Sequence, residues 1–134
     1  MSTADIDGET LAAISREVVR LKAQSYGKGA TEAKTYVCDD FLFCVLKGGL
    51  TPVERTLLDH QDEEVVRDFR QHYQNRMADT YKAVVRRETG REVLTYQSQM
   101  LFNPDYTIEI FYLADPGGGE GDLDERDLDR IVDE

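Results

Sequence analysis

Between Thr35 and Lys47 the chain reads Thr-Tyr-Val-Cys-Asp-Asp-Phe-Leu-Phe-Cys-Val-Leu-Lys, dense in β-branched and aromatic residues with two aspartates at its middle. Such a run has few ways to fold. These residue types favour a half-buried pleated surface, and the paired acids interrupt it where a two-residue hairpin turn fits. A turn at Asp39-Asp40 pairs Cys38 with Phe41, Val37 with Leu42, Tyr36 with Phe43 and Thr35 with Cys44. Directly opposed residues share a face. Tyr36, Cys38, Phe41 and Phe43 are therefore expected on one side, and Val37, Leu42, Cys44 and Leu46 on the other. The two cysteines then lie on opposite faces and cannot bond each other within one chain. Their C-x5-C spacing, with no second pair and no nearby His, fits no closed zinc site, and free thiols in a reducing compartment are the expectation.

Helices flank this ribbon. Leu11, Ile14, Val18 and Leu21 fall on one stripe of a helix over residues 9–25, closed by Gly27. After Gly48-Gly49, the segment Leu50-Thr51-Pro52-Val53-Glu54 combines an N-cap threonine, a proline at the first helical position and a glutamate completing a capping box. That helix is expected to end near His60. A longer one follows over about 63–88, with Val65, Phe69, Tyr73, Met77 and Val84 as its buried stripe, His72 bordering the core and Gly90 closing it. Residues 91–102 and 106–114 read as two further strands around Asn103-Pro104-Asp105. In the last, Tyr106, Ile108, Ile110 and Tyr112 alternate with Thr107, Glu109, Phe111 and Leu113. The order αββααββ predicts an α+β two-layer sandwich, a mainly antiparallel four-stranded sheet covered by helices.

At 134 residues the chain has the length of one domain, placed at 1–114, with a Gly-rich linker and acidic C-terminal tail over 115–134. The formal charge of −11 sits mostly at the ends: the last twenty residues carry nine acids and two bases, and the first nine carry three acids and no base. A nearly neutral body with acidic ends argues against a binder of duplex nucleic acid. No apolar run is long enough to span a bilayer, and the acidic N-terminus is the wrong sign for a secretory leader, so a cytoplasmic protein without membrane insertion is expected. In the tail, Leu128, Ile131 and Val132 have helical spacing, leaving both a solvated tail and a short docking helix open.

Candidate chemistry is thin. Gly27-Lys28-Gly29, with Lys34 beyond, can offer backbone N–H groups and cations to a phosphate or carboxylate, although the Walker pattern is absent, the loop follows a helix instead of opening one, and a cap with a tight turn is the simpler account of the glycines. Arg55 projects from the first turn of the second helix. Tyr96-Gln97-Ser98-Gln99 puts polar residues into an otherwise apolar strand, either as a solvent-facing strand edge or as a polar patch lining a pocket or oligomer interface. His60 among Asp59, Asp62, Glu63 and Glu64 reads as a solvated helix start and not as a metal centre. No nucleophile elbow or acid–base pair stands out, so no catalytic residue, metal or cofactor is assigned.

Several of these motifs, Gly27-Lys28-Gly29-Ala30-Thr31 with Ala33-Lys34, the hairpin through Asp39-Asp40, Lys47-Gly48-Gly49-Leu50-Thr51-Pro52-Val53-Glu54, Thr89-Gly90-Arg91-Glu92-Val93 and Tyr96-Gln97-Ser98, together resemble the MpsC-like family over about Leu11 to Leu113. Family members often carry proline where Ala30 stands here. The family's name refers to a sodium-translocating, membrane-potential-generating system, and the resemblance implies a cytoplasmic accessory role rather than a pore. Two functions are therefore carried forward. One is a non-enzymatic accessory or regulatory domain, a homodimer acting through protein contacts near a membrane ion-transport system. The other is a module binding a small anionic ligand or nucleotide through Gly27, Lys28, Gly29, Lys34, Arg55, Gln97, Ser98 and Gln99.

Overall fold

The computed structural model describes residues 6–116; the reading of the C-terminal tail as solvated or docked falls on residues outside these. The elements run α1 (Gly8–Tyr26), β1 (Glu32–Cys38), β2 (Phe41–Lys47), α2 (Pro52–Asp59), α3 (Glu63–Thr89), β3 (Val93–Phe102) and β4 (Asp105–Leu113). This is the expected α+β order with an antiparallel four-stranded sheet. Its strand order is β1-β2-β4-β3, so the two hairpins join through their second strands and leave β1 and β3 at the edges.

Local chemistry accounts for the boundaries. Asp7 caps α1 by accepting from the Thr10 N–H at 2.9 Å, and Gly27 ends it at φ 92°. The hairpin turns at Asp39-Asp40 in the anticipated register, Cys38 opposite Phe41 through Thr35 opposite Cys44, and continues to Glu32 opposite Lys47. Cys44 is buried and Cys38 exposed, on opposite faces. Gly48 sits at φ 79°, where a Cβ would meet Thr31 Oγ1 at 2.8 Å, so only glycine lets the chain leave β2 there. Strand β3 begins two residues later than expected because Arg91 has another task. Its buried guanidinium donates to Asp40 Oδ1 at 2.7 Å and to the Ala114 carbonyl at 2.8 Å, tying the β1–β2 turn to the end of β4.

The core lies between the sheet and one helical layer. Ile14 and Val18 of α1 and Tyr81 and Val85 of α3 pack on Leu42, Cys44, Leu46, Phe111 and Leu113. Ser15 and Thr35 exchange a hydroxyl hydrogen bond of 2.7 Å where α1 crosses β1.

Helix α3 departs from its expected stripe. Val66, Arg70, Gln74, Tyr81, Val84 and Val85 face inward, whereas Val65 and Phe69 are 53% and 60% exposed; Tyr73 and Met77 are half-buried and His72 is exposed. Only Val84 of the expected set is fully inside. The cause is Arg70. Its guanidinium meets Glu54 in a bidentate pair, Nε to Oε2 at 2.7 Å and Nη2 to Oε1 at 2.9 Å, and also donates to the Gly49 carbonyl at 3.0 Å. Directing that side chain inward turns the first half of α3 by about one residue, roughly 100°, and carries the most apolar stripe outward.

Removing one partner of a buried ion pair strands the other, at about 3–5 kcal/mol, whereas replacing both with apolar residues often costs far less. Glu54→Gln and Arg70→Met are each expected to lower stability on that scale, and the double variant Glu54→Leu with Arg70→Met to lose less than either. Urea unfolding of the three checks this; a double variant as weak as the sum of the singles would remove the pair's structural role.

Candidate functional site

The capping box of α2 forms as anticipated: Thr51 Oγ1 accepts from the Glu54 N–H, and Glu54 Oε1 accepts from the Thr51 N–H at 2.8 Å. The same carboxylate also receives the Tyr26 hydroxyl and the Arg70 guanidinium. Burial by itself would raise the Glu54 carboxyl. The Arg70 hydrogen bonds, with those from Thr51 and Tyr26, outweigh it and hold the group down to about 2. Arg70 also lies over the Tyr26 ring, 5.1 Å from its centroid. A capping residue has thus become the anchor of a buried network, which a capping motif in a sequence does not announce.

Above this network opens a hollow of about 530 Å³ between the end of α1, α2 and the first half of α3. Tyr26, Val53, Leu57, Val65, Phe69 and Tyr73 line it, with Glu54 and Thr51 at its base. Tyr26 stacks at a tilt on Tyr73 and Phe69, with centroids 4.6 and 6.0 Å away.

The second surface is the sheet face turned away from the helices. By register, Phe41, Phe43 and Val45 of β2 lie beside Tyr112, Ile110 and Ile108 of β4 on this side. Phe41 packs on Phe43 and Tyr112, with centroids 5.9 and 4.7 Å away. β2 is therefore apolar on both faces, and β4 is apolar on this outer one, whereas an antiparallel sheet facing water normally carries polar residues on its outer side. No described helix lies on this side, where Tyr36, Phe41 and Leu101 are 48%, 39% and 46% exposed. Glu32 and Lys34 on β1 and Gln97 and Gln99 on β3 border the apolar centre.

The predicted ligand residues are spread over several surfaces. Lys34 is on the open face, its ammonium 5.2 Å from the Tyr36 ring centroid. Gln97, Ser98 and Gln99 line a separate hollow of about 300 Å³ at the opposite sheet edge, with Gln71, Asn75 and Lys82 of α3. Gln97 and Gln99 are exposed and Ser98 is buried. Lys28 is exposed after the Gly27 cap, Gly29 lies against Ala23 and Val19, and Arg55 is exposed on α2. Behind Ser98 lies a buried polar cluster absent from the sequence reading. Tyr96 donates to Glu109 Oε1, and the Ser98 hydroxyl and Gln74 amide lie buried beside the same carboxylate. Burial pushes the Glu109 carboxyl up and lowers the buried Lys22 ammonium to about 8. An acid, Glu109, in the same alternating row as Phe111 and Leu113 of β4 was the available signal.

Because the Glu54 carboxyl falls from an ordinary 4.5 to about 2 on folding, its contribution to stability is complete above pH 4.5 and is lost as pH drops toward 2. The urea midpoint of the native chain should fall across that window more steeply than that of the Glu54→Leu with Arg70→Met variant. Equal slopes would count against the assignment.

Among the described residues no helix is long and apolar enough to cross a membrane, and no group of three or more His, Cys, Asp or Glu side chains is placed to hold a metal. Neither the curated proteins nor the solved structures contain a match to this chain. Residues 7–115 match the family described as "Na+-translocating membrane potential-generating system (MpsC)", a span from the α1 cap to just beyond β4. The chain belongs to the MpsC family.

Proposed function

We propose that this chain is a non-enzymatic cytoplasmic accessory domain that acts through protein contacts, assembles as a homodimer through its open sheet face, and serves the membrane ion-translocating system for which its family is named. The observation that supports this most is the apolar outer face of the two central strands. Phe41, Phe43, Val45, Ile108, Ile110 and Tyr112 form an uncharged centre, and Glu32, Lys34, Gln97 and Gln99 form a polar border, the anatomy of a protein interface. Four strands about 4.8 Å apart, seven to ten residues long at about 3.4 Å each, give a face of roughly 450–650 Å² in projection. That is the scale of the ~800 Å² per partner that stable interfaces bury. A second copy brings the same uncharged centre, so two sheets can pack face to face across a two-fold axis. The chain's own acidic tail is a poorer cover, since it would lay charge over aromatic rings.

Sedimentation velocity should give twice the chain mass for the native protein, and Phe43→Asp or Ile110→Asp should reduce it to that of one chain while the far-ultraviolet spectrum is retained. A native chain that stays monomeric up to millimolar concentration would overturn the dimer.

A second reading, a site for a small polar or anionic ligand, is favoured by one observation: Gln97, Ser98 and Gln99 share the wall of one hollow with Gln71, Asn75 and Lys82. A ligand bound there raises the melting temperature as RT ln(1 + [L]/Kd). Phosphate-bearing compounds at millimolar concentration should therefore shift the native chain but not a Ser98→Val variant; no shift across the panel would retire this reading.

A further inference from the structure

Val53 and Leu57 are one turn apart on α2, and Val65 and Phe69 are one turn apart on α3. These two rows, with Tyr26 and Tyr73 between them, wall the hollow of about 530 Å³. Single exposed apolar residues need no explanation. Here Val53, Val65 and Phe69, at 69%, 53% and 60% exposure, all stand on one concavity. Paired rows spaced by a helical turn form a trough matched to the apolar anchors that an amphipathic helix repeats every three or four residues.

Charge decides what kind of helix. Glu64 and Asp68 form the row next to Val65 and Phe69 on the solvent side of α3, and Asp59, Asp62 and Glu63 surround the α2–α3 turn, all exposed. Across residues 52–70, Arg55 and His60 are the exposed basic residues, while Arg67 is held by Glu63 at 2.7 Å and donates to the Met100 carbonyl at 3.0 Å. An acidic rim repels the chain's own acidic C-terminal segment and anionic lipid, and a second copy brings only a nearly neutral body. Lys and Arg flanking an apolar row are complementary to it.

We propose that the trough between α1, α2 and α3 docks an amphipathic helix of a partner protein, seated by its apolar face and flanked by basic residues. It rests on the reading that this domain acts through protein contacts, but it uses a different surface from the sheet face and does not need the dimer.

The test titrates the full chain with fluorescein-labelled synthetic helical peptides sharing one leucine row, one flanked by Lys and the other by Glu, read by anisotropy. The Lys-flanked peptide should bind, and Phe69→Glu and Val65→Asp should each raise its Kd at least about tenfold, as loss of a central anchor does. Each adds an acid, so non-specific charge attraction would move the other way. Because both side chains are more than half exposed, the variants should keep the native melting temperature. Phe43→Asp, on the sheet face, should leave the Kd unchanged even as it dissociates the dimer, which separates failure of this proposal from failure of that one. Reversing the rim with Glu64→Lys and Asp68→Lys should shift preference to the Glu-flanked peptide. Equal binding of both peptides by the native chain would overturn the proposal. So would a change of oligomeric mass in Phe69→Glu, which would assign the trough to a second copy, or anionic-vesicle binding abolished by Phe69→Glu, which would assign it to lipid.

Discussion

The bidentate contact between Arg70 and Glu54 sets the geometry of the helical layer. A buried ion pair is tolerable only when the remaining donors and acceptors are also matched, and here they come from four separate parts of the chain. Tyr26 at the end of α1 and Thr51 at the cap of α2 complete the carboxylate, while the Gly49 carbonyl after β2 and Thr107 of β4 receive the guanidinium. One pair thereby fixes the phase of α3 about its own axis, the seat of α2 and the end of the first hairpin. The outward turn of Val65 and Phe69 follows directly, since a helix that points Arg70 inward must point the adjoining row away.

Both layers consequently keep apolar surface on their outer sides. On the helical side it gathers in a trough over the ion pair; on the sheet side it spreads across β2 and β4. A fold of this size has one core between its layers, and residues that could have enlarged it stand outside instead. The two outer patches are bordered by polar side chains of distinct character: Glu32, Lys34 and the Gln97 and Gln99 amides around the sheet face, and acids around the trough. The buried Glu109 carboxyl, with Tyr96 and Ser98 beside it, belongs to the interior between these surfaces.

How much of this could be read in advance varied with the range of the interaction. The hairpin register over 35–44 was legible because two aspartates between apolar runs leave one turn position, and alternation does the rest. The α2 cap was legible for the same reason: Thr51, Pro52 and Glu54 act within one turn. The α3 stripe was misread at Val65 and Phe69 because hydrophobic periodicity assumes that the apolar row faces the core, and a charge partner sixteen residues away overrode it. Of the candidate ligand residues, Gln97, Ser98 and Gln99 share a hollow, while Lys28, Lys34 and Arg55 are placed elsewhere; polar side chains carry no pattern that reports which of them will meet.

Alone, the order of residues determined the elements, the turns that bound them, the inward and outward faces of each strand and the family to which the chain belongs. These follow from backbone sterics, caps and alternation, all of which act over a few positions. Tertiary structure decided that β2 pairs with β4, that Glu54 serves Arg70 as well as its own helix, and that two apolar surfaces remain outside. Each of those outcomes depends on contacts between residues distant in the chain, where the competing arrangements differ in buried charge and area and not in local pattern.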